Sequence, residues 1–263
     1  MRSNTVREIW SRGGTAINAW LAIPSGYSAE VVGHSGFDVV TVDLQHGMIG
    51  FDAALAMFQA ISATPAVPFA RVQRNDPALV MHLLDAGAYG LICPMVSTAE
   101  QAAAFASACR YPPAGVRSFG PARGMLYGGP DYFQKADDEI VALAMIETAE
   151  GLENLAAIVA TPGLDGIYVG PNDLCLALGV APNAESPEPV VTRALARIVE
   201  ACREAGKVAG IFCSGGEAAA RRAEEGFALV TPGNDANLLG KAAREAVAAA
   251  RSQTETRRSG TGY

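Results

Sequence analysis

Eight strand–helix alternations spread over 263 residues predict an α/β protein of the (β/α)8 TIM-barrel class. Two further observations point the same way. The strand candidates are continuous β-branched runs rather than alternating ones, which suits parallel strands buried on both faces. Polar residues then interrupt these runs at their C-terminal ends, where barrels of this class build their active sites. A doubly wound sheet is the fold alternative. It would want a glycine-rich phosphate turn after the first strand, and neither GxGxxG nor GxxxxGK[ST] occurs. Residues 1–250 read as one barrel, and 251–263, poor in apolar residues, as a disordered tail.

The elements follow in order. AINAWLAI (16–23) is the first strand, with SAEVVGHSG helical after it. FDVVTVDLQ (37–45) is the second, followed by the helical FDAALAMFQAISAT. AVPFARV (66–72) is the third. Its helix, DPALVMHLLDAG, carries an Asp cap, a Pro in the first turn and a Gly after the end. YGLICPMV (89–96) is the fourth, and TAEQ opens the next helix like a capping box. A long stretch rich in Gly and Pro, 111–139, reads as a functional or disordered loop. VALAMIET (141–148) is the fifth strand, AEGLENLAAIVAT its helix, and LDGIYVGPND (164–173) the sixth strand. VVTRALARIVEACREAG is a strong helix. VAGIFCS (208–214) and FALVTPG (227–233) are the last strands, each followed by a helix.

The composition bounds the function. A net charge of −7 without a basic block argues against a nucleic-acid surface. No run of 18 apolar residues suggests a membrane span, and the charged N-terminus has no apolar signal core. Five cysteines form no CxxC pair, as expected of a reduced cytoplasmic protein.

Barrel topology gathers the strand ends at one face. Glu147 ends the fifth strand and Asp173 the sixth, so two carboxylates point into one space. Singly, each has an ordinary explanation: Glu147 an arginine partner, Asp173 a helix cap. Together they would repel without a cation, and one pKa would rise. An all-oxygen donor pair suits a hard divalent ion such as Mg²⁺ or Mn²⁺. Of three histidines, His34 and His82 fall in helices and read as structural. His46 ends a buried strand, and its pKa range suits a general base. Asp43, three residues earlier, orients His46 or anchors the loop. Arg71 ends an apolar strand and needs an anionic partner, either a structural acid or a developing enolate. Arg117 and Arg123, in the long loop, read as surface charges or as a clamp on a second carboxylate. None of the three lysines (Lys135, Lys207, Lys241) ends a strand at the active face, so an imine mechanism lacks its nucleophile.

The segments VDLQHG, FARV, GAYGLICPMVSTAEQA, YPPAGVRSFGPAR, IETAEGLENL and DGIYVGPNDLCLALG resemble the metal-dependent (class II) pyruvate-type aldolases over about residues 5 to 250. These include the 4-hydroxy-2-oxoheptanedioate and 2-keto-3-deoxy sugar acid aldolases, of the phosphoenolpyruvate/pyruvate barrel superfamily. The resemblance implies metal ligands at Glu147 and Asp173, with Mg²⁺, Mn²⁺ or Co²⁺ as the ion. It implies Arg71 on the ketone oxygen and His46 as a base acting through a water. The backbone of Gly170, Pro171, Asn172 and Asp173 would receive the oxo acid's carboxylate; Arg123 is expected as a substrate contact from its place in the long loop rather than from the resemblance. Asp85 matches an acid that raises the histidine's basicity. It ends a helix at the bottom of its own barrel, so that role requires a neighbouring subunit. The resemblance also implies a last helix exchanged between subunits, in hexamers built as trimers of dimers. Gln45 and Met145 depart from the family's usual Glu and Gln, which bears on substrate preference more than on reaction class.

The expected reaction is reversible aldol cleavage of a 4-hydroxy-2-oxo acid to pyruvate or hydroxypyruvate and an aldehyde. The alternatives are another lyase of the same superfamily, citrate-lyase-like or mutase-like, and a non-catalytic oxo-acid-binding barrel.

Overall fold

The computed structural model describes residues 1–259, with side chains to Arg251. Strands β1 (Ala16–Leu21), β2 (Val39–Asp43), β3 (Val67–Arg71), β4 (Gly90–Cys93), β5 (Val141–Ile146), β6 (Gly166–Val169), β7 (Val208–Phe212) and β8 (Leu229–Thr231) pair in sequence order, all parallel. β8 closes on β1 through Ala16↔Leu229 and Ile17↔Val230, which makes a TIM barrel. Among the described residues the helices are α1 (Thr5–Ser11), α2 (Gly26–Gly33), α3 (Phe51–Ser62), α4 (Pro77–Asp85), α5 (Ala99–Ala108), α6 (Ala122–Gly128) and α7 (Tyr132–Glu139). They continue with α8 (Ala149–Glu153), α9 (Leu155–Val159), α10 (Pro171–Ala177), α11 (Pro189–Glu204), α12 (Gly216–Glu224) and α13 (Asp235–Ser259). No helix of the described residues is long and apolar enough to cross a membrane. The tail expected over 251–263 lies almost wholly beyond the described side chains; the backbone to Ser259 continues α13.

Short polar residues start the helices where the sequence places them. The side chains of Ser25, Asp76, Thr98 and Thr148 each accept a backbone N–H in the first turn of α2, α4, α5 and α8. A cap of this kind stabilises by about 1 kcal/mol. In the barrel interior, Asn18 bridges β1 to its neighbours: it donates to Thr231 Oγ1 and accepts from Thr41 Oγ1, both at 2.8 Å. The Tyr168 hydroxyl meets Thr231 Oγ1 at 2.6 Å, which completes a satisfied polar layer. On β3, the Phe69 ring packs over Gly90, where an added Cβ would lie 2.4 Å from the ring. Burying that ring stabilises by about 2–3 kcal/mol, so Gly90 is a packing requirement.

Four expectations need correction. Asp173 does not end a strand: β6 stops at Val169, and Asp173 lies in the first turn of α10. Pro171, with φ fixed and no N–H to satisfy, starts that helix. The stretch 111–139 is not a bare loop, because α6 and α7 form within it, covering Arg117, which stacks on the Tyr111 and Tyr132 rings. The helix after β5 breaks at Asn154, whose side chain turns away to donate to the Ser97 carbonyl. His34 follows α2 as its C-cap rather than lying inside it.

Candidate active site

β2 and β3 end in register, with Asp43 opposite Arg71. Arg71 Nε donates to Asp43 Oδ1 at 2.8 Å and its Nη2 to Oδ2 at 2.6 Å, a bidentate pair with both side chains buried. The Trp20 indole N–H also donates to Asp43 Oδ2, and the guanidinium lies 4.9 Å from the Trp20 ring centroid. Burial pushes the Asp43 carboxyl up, but the hydrogen bonds and charge of Arg71 outweigh it and hold the pKa below its ordinary value. Asp43 Oδ1 also accepts from the backbone N–H groups of Gln45 and His46, at 3.0 and 3.3 Å. Asp43 therefore anchors the loop that carries His46, and it acts on the histidine through backbone. Of the two partners open to Arg71, the structural acid is present.

β5 and β6 end in register at Ile146↔Val169, so Glu147 comes beside Gly170. The fit is close: a Cβ on Gly170 would lie 2.2 Å from Glu147 Oε2. Only glycine leaves that oxygen its space. Glu147 Oε1 accepts from the Met95 N–H at 2.8 Å. Glu147 is 3% exposed. Burial raises its pKa to about 6, with the Met95 hydrogen bond opposing, the Asp173 charge adding and the Arg71 charge opposing. A dry carboxylate held by one N–H, with a second carboxylate close enough to repel it, is short of positive charge.

These groups surround one cavity of ≈ 290 Å³ at the C-terminal mouth of the barrel. Asp43, His46, Arg71, Met145 and the run Gly170–Asp173 line it. Glu147 lies just behind that wall, between Met95 and Gly170. Among the described residues no three His, Cys, Asp or Glu side chains cluster as a preformed metal cage. The donors present suit a hard ion that takes one or two carboxylates and completes its shell with substrate and water. All three lysines are elsewhere. Lys207 donates to the Thr161 carbonyl, Lys135 pairs with Asp131, and Lys241 lies in α13 near Glu245.

Two expected site residues are not at this cavity. Asp85, at the end of α4, pairs with Arg117 Nη2 at 2.9 Å. Arg123 donates to the carbonyls of Ala86 and Phe58 and to Ser62 Oγ. Those bonds hold the Arg123 guanidinium against α3 and α4, away from the mouth of its own barrel. Conversely, sequence reasoning missed Trp20, Phe212, Asn234 and Asn237, all of which line the cavity. The period of two along β1 and β7 could have shown Trp20 and Phe212 as inward-facing near the strand tops. Asn234 carried a positional signal, directly after the eighth strand run, and Asn237 carried none.

The family described as HpcH/HpaI aldolase/citrate lyase matches residues 17–242. The chain belongs to the HpcH/HpaI aldolase/citrate lyase family. Within it, a hydroxypyruvate/pyruvate aldolase of Rhizorhabdus wittichii is 44% identical over 248 residues, covering 94% of this chain and 99% of the relative. A 4-hydroxy-2-oxo-heptane-1,7-dioate aldolase of Shigella sonnei is 39% identical over 249 residues, covering 94% of each. The crystal structure of an HpcH/HpaI family protein from Burkholderia cenocepacia J2315 superposes with a TM-score of 0.87 at 32% identity, covering 95% of this chain and all of that one. The HpcH/HpaI assignment therefore spans the whole barrel and includes the mouth just described.

Proposed function

We propose that this HpcH/HpaI family member is a divalent-metal-dependent aldolase that reversibly cleaves 4-hydroxy-2-oxo acids to pyruvate or hydroxypyruvate and an aldehyde. The carrying observation is the grouping of Glu147, Asp173, Arg71 and His46 at one cavity that no lysine enters. The names of the relatives support the reaction class.

Glu147 and Asp173 are the residues that would hold Mg²⁺, Mn²⁺ or Co²⁺. The cation supplies Lewis-acid polarisation of the 2-oxo group, worth several kcal/mol. The chain's own residues do the rest. The backbone of Gly170 to Asp173 receives the carboxylate of the oxo acid. His46, acting through a water, removes the proton of the 4-hydroxyl. The C3–C4 bond breaks, its electron pair becomes the enolate, and the aldehyde leaves. Asp43 takes Arg71 Nε and one N–H of Nη2, so the donors offered to the enolate oxygen are those on Nη1 and the second N–H of Nη2. A guanidinium fixed before reaction does not reorganise as the oxyanion develops, which is where such groups lower barriers. Asp85 raises the basicity of a His46 across a subunit interface, in a cytoplasmic hexamer built as a trimer of dimers with α13 exchanged.

The deciding experiment measures pyruvate release from 4-hydroxy-2-oxo acids with EDTA, then with Mg²⁺, Mn²⁺ or Co²⁺ restored. Activity should vanish on chelation and return with the ion. Turnover that survives complete chelation, or a pyruvate adduct trapped on lysine by borohydride, sinks the metal reading.

A further inference from the structure

Met95 is the one non-glycine residue with positive φ among the described residues, at 58°. It follows Pro94 in the turn after β4. Proline and then a positive φ is the pattern of a type II turn, whose third position is normally Gly or Asn. A methionine held there is strained, and such strain persists where the surroundings over-determine it. Its side chain explains nothing, since Met95 is 54% exposed. Its backbone does. The Met95 N–H donates to Glu147 Oε1 at 2.8 Å, and the next N–H, of Val96, donates to the Met145 carbonyl at 3.2 Å. The second bond fixes the turn against β5, and the first fixes the carboxylate. With Oε1 engaged, Oε2 is the oxygen that lies over Gly170.

We propose that Met95 is a positioning residue. Its left-handed backbone, and not its side chain, aims an N–H at Glu147 Oε1 and so presents Oε2 to the divalent cation. The inference rests on the preceding reading that Glu147 and Asp173 hold that cation. Hydrogen-bond partners of a ligating carboxylate fix its direction, and losing one typically weakens metal binding by roughly 10- to 100-fold.

The test is calorimetric titration of the full-length protein with Mn²⁺ alone. Glycine tolerates positive φ, alanine keeps the backbone but not the thioether, and a β-branched residue opposes this conformation most strongly. Met95→Gly and Met95→Ala should bind Mn²⁺ like the parent. Met95→Val should bind at least roughly tenfold more weakly, while saturating Mn²⁺ restores its kcat. Parent-like affinity in Met95→Val, or equal losses in all three variants, overturns the proposal. Amide hydrogen exchange gives a reading that does not need the valine variant to fold. The Met95 N–H should be protected in the parent protein and exposed in Glu147→Ala; free exchange in the parent overturns the clamp. Parent protein that takes up no Mn²⁺ sinks the cation reading itself, and this proposal with it.

Discussion

At the foot of the barrel, Asp165 accepts from Arg7 at 2.8 Å, from Arg110 at 2.9 Å and from the Ala142 N–H at 2.7 Å. Asp85, also on that side, is matched by Arg117. At the mouth, Asp43, Glu147 and Asp173 gather around one cavity with a single guanidinium, Arg71, and Asp43 takes it. Both ends pair carboxylates with arginines, although at the foot only Asp165 adjoins a strand, while Arg7 comes from α1 and Asp85 from the end of α4. The foot balances charge and so holds the barrel together. The mouth leaves negative charge unmatched, and burial raises the pKa of Glu147. Buried ion pairs are weak evidence of function by themselves. An unbalanced set beside a cavity is stronger evidence, because a ligand can supply what is missing.

Replacing charges at each end should separate the two roles. The largest effect is expected at the mouth. Glu147→Ala or Asp173→Ala should lower pyruvate release by roughly 10³-fold or more, since several kcal/mol of transition-state stabilisation depend on the ion. A steady-state assay at saturating Mn²⁺ checks this. Near-normal turnover in either variant would mean the ligands are misassigned.

Next comes Arg71→Ala. Removing a fixed donor to a developing oxyanion costs about 10²–10³ in kcat. It also leaves Asp43 buried and unpaired, which should cost about 3–5 kcal/mol of stability in urea unfolding. The matching change at the foot, Asp165→Asn, should give the opposite pattern: roughly 1–3 kcal/mol of stability lost, because these pairs are partly exposed, with kcat unchanged. A large kcat loss in Asp165→Asn would erase the distinction between the two ends.

The pH dependence of the metal-free protein is a smaller effect with a definite sign. Glu147 moves from 4.5 to about 6 on folding, chiefly through burial. The folded protein therefore holds this proton more tightly than the unfolded chain does. The resulting stability is fully present below pH 4.5 and is lost as pH rises through about 6, on the order of 2 kcal/mol. Glu147→Gln should flatten that slope in denaturant melts across the window. Mn²⁺ affinity of the parent should fall below about pH 6, as protons compete for the carboxylate.

The smallest change expected is Met145→Gln. Met145 is buried at the cavity wall two residues before Glu147. A polar amide there should change kcat/KM between competing oxo acids by roughly tenfold or less, the scale of one added polar contact. Identical substrate ratios in both proteins would remove Met145 from the specificity argument.

The sequence by itself determined the eight βα units, the closed barrel and the end of it that carries chemistry. Parallel strands buried on both faces need continuous apolar runs, so a polar residue closing such a run stands out. That is how Asp43, His46, Arg71 and Glu147 were legible. Asp173 was legible as a site residue, although Pro171 moves it from a strand end into α10. Residues 111–139 were not legible as helices, because α6 and α7 are held by contacts such as Arg117 on Tyr132 rather than by an apolar stripe. The position of Arg123 was not legible, because an arginine's partners are set by what folds near it, here the Ala86 and Phe58 carbonyls. Tertiary structure alone decided that Asp43 claims Arg71, that Gly170 yields its Cβ space to Glu147 Oε2, and that Met95 turns a strained N–H toward Oε1. Each of these is a contact between segments distant in sequence or a value of φ, and residue type constrains both only weakly.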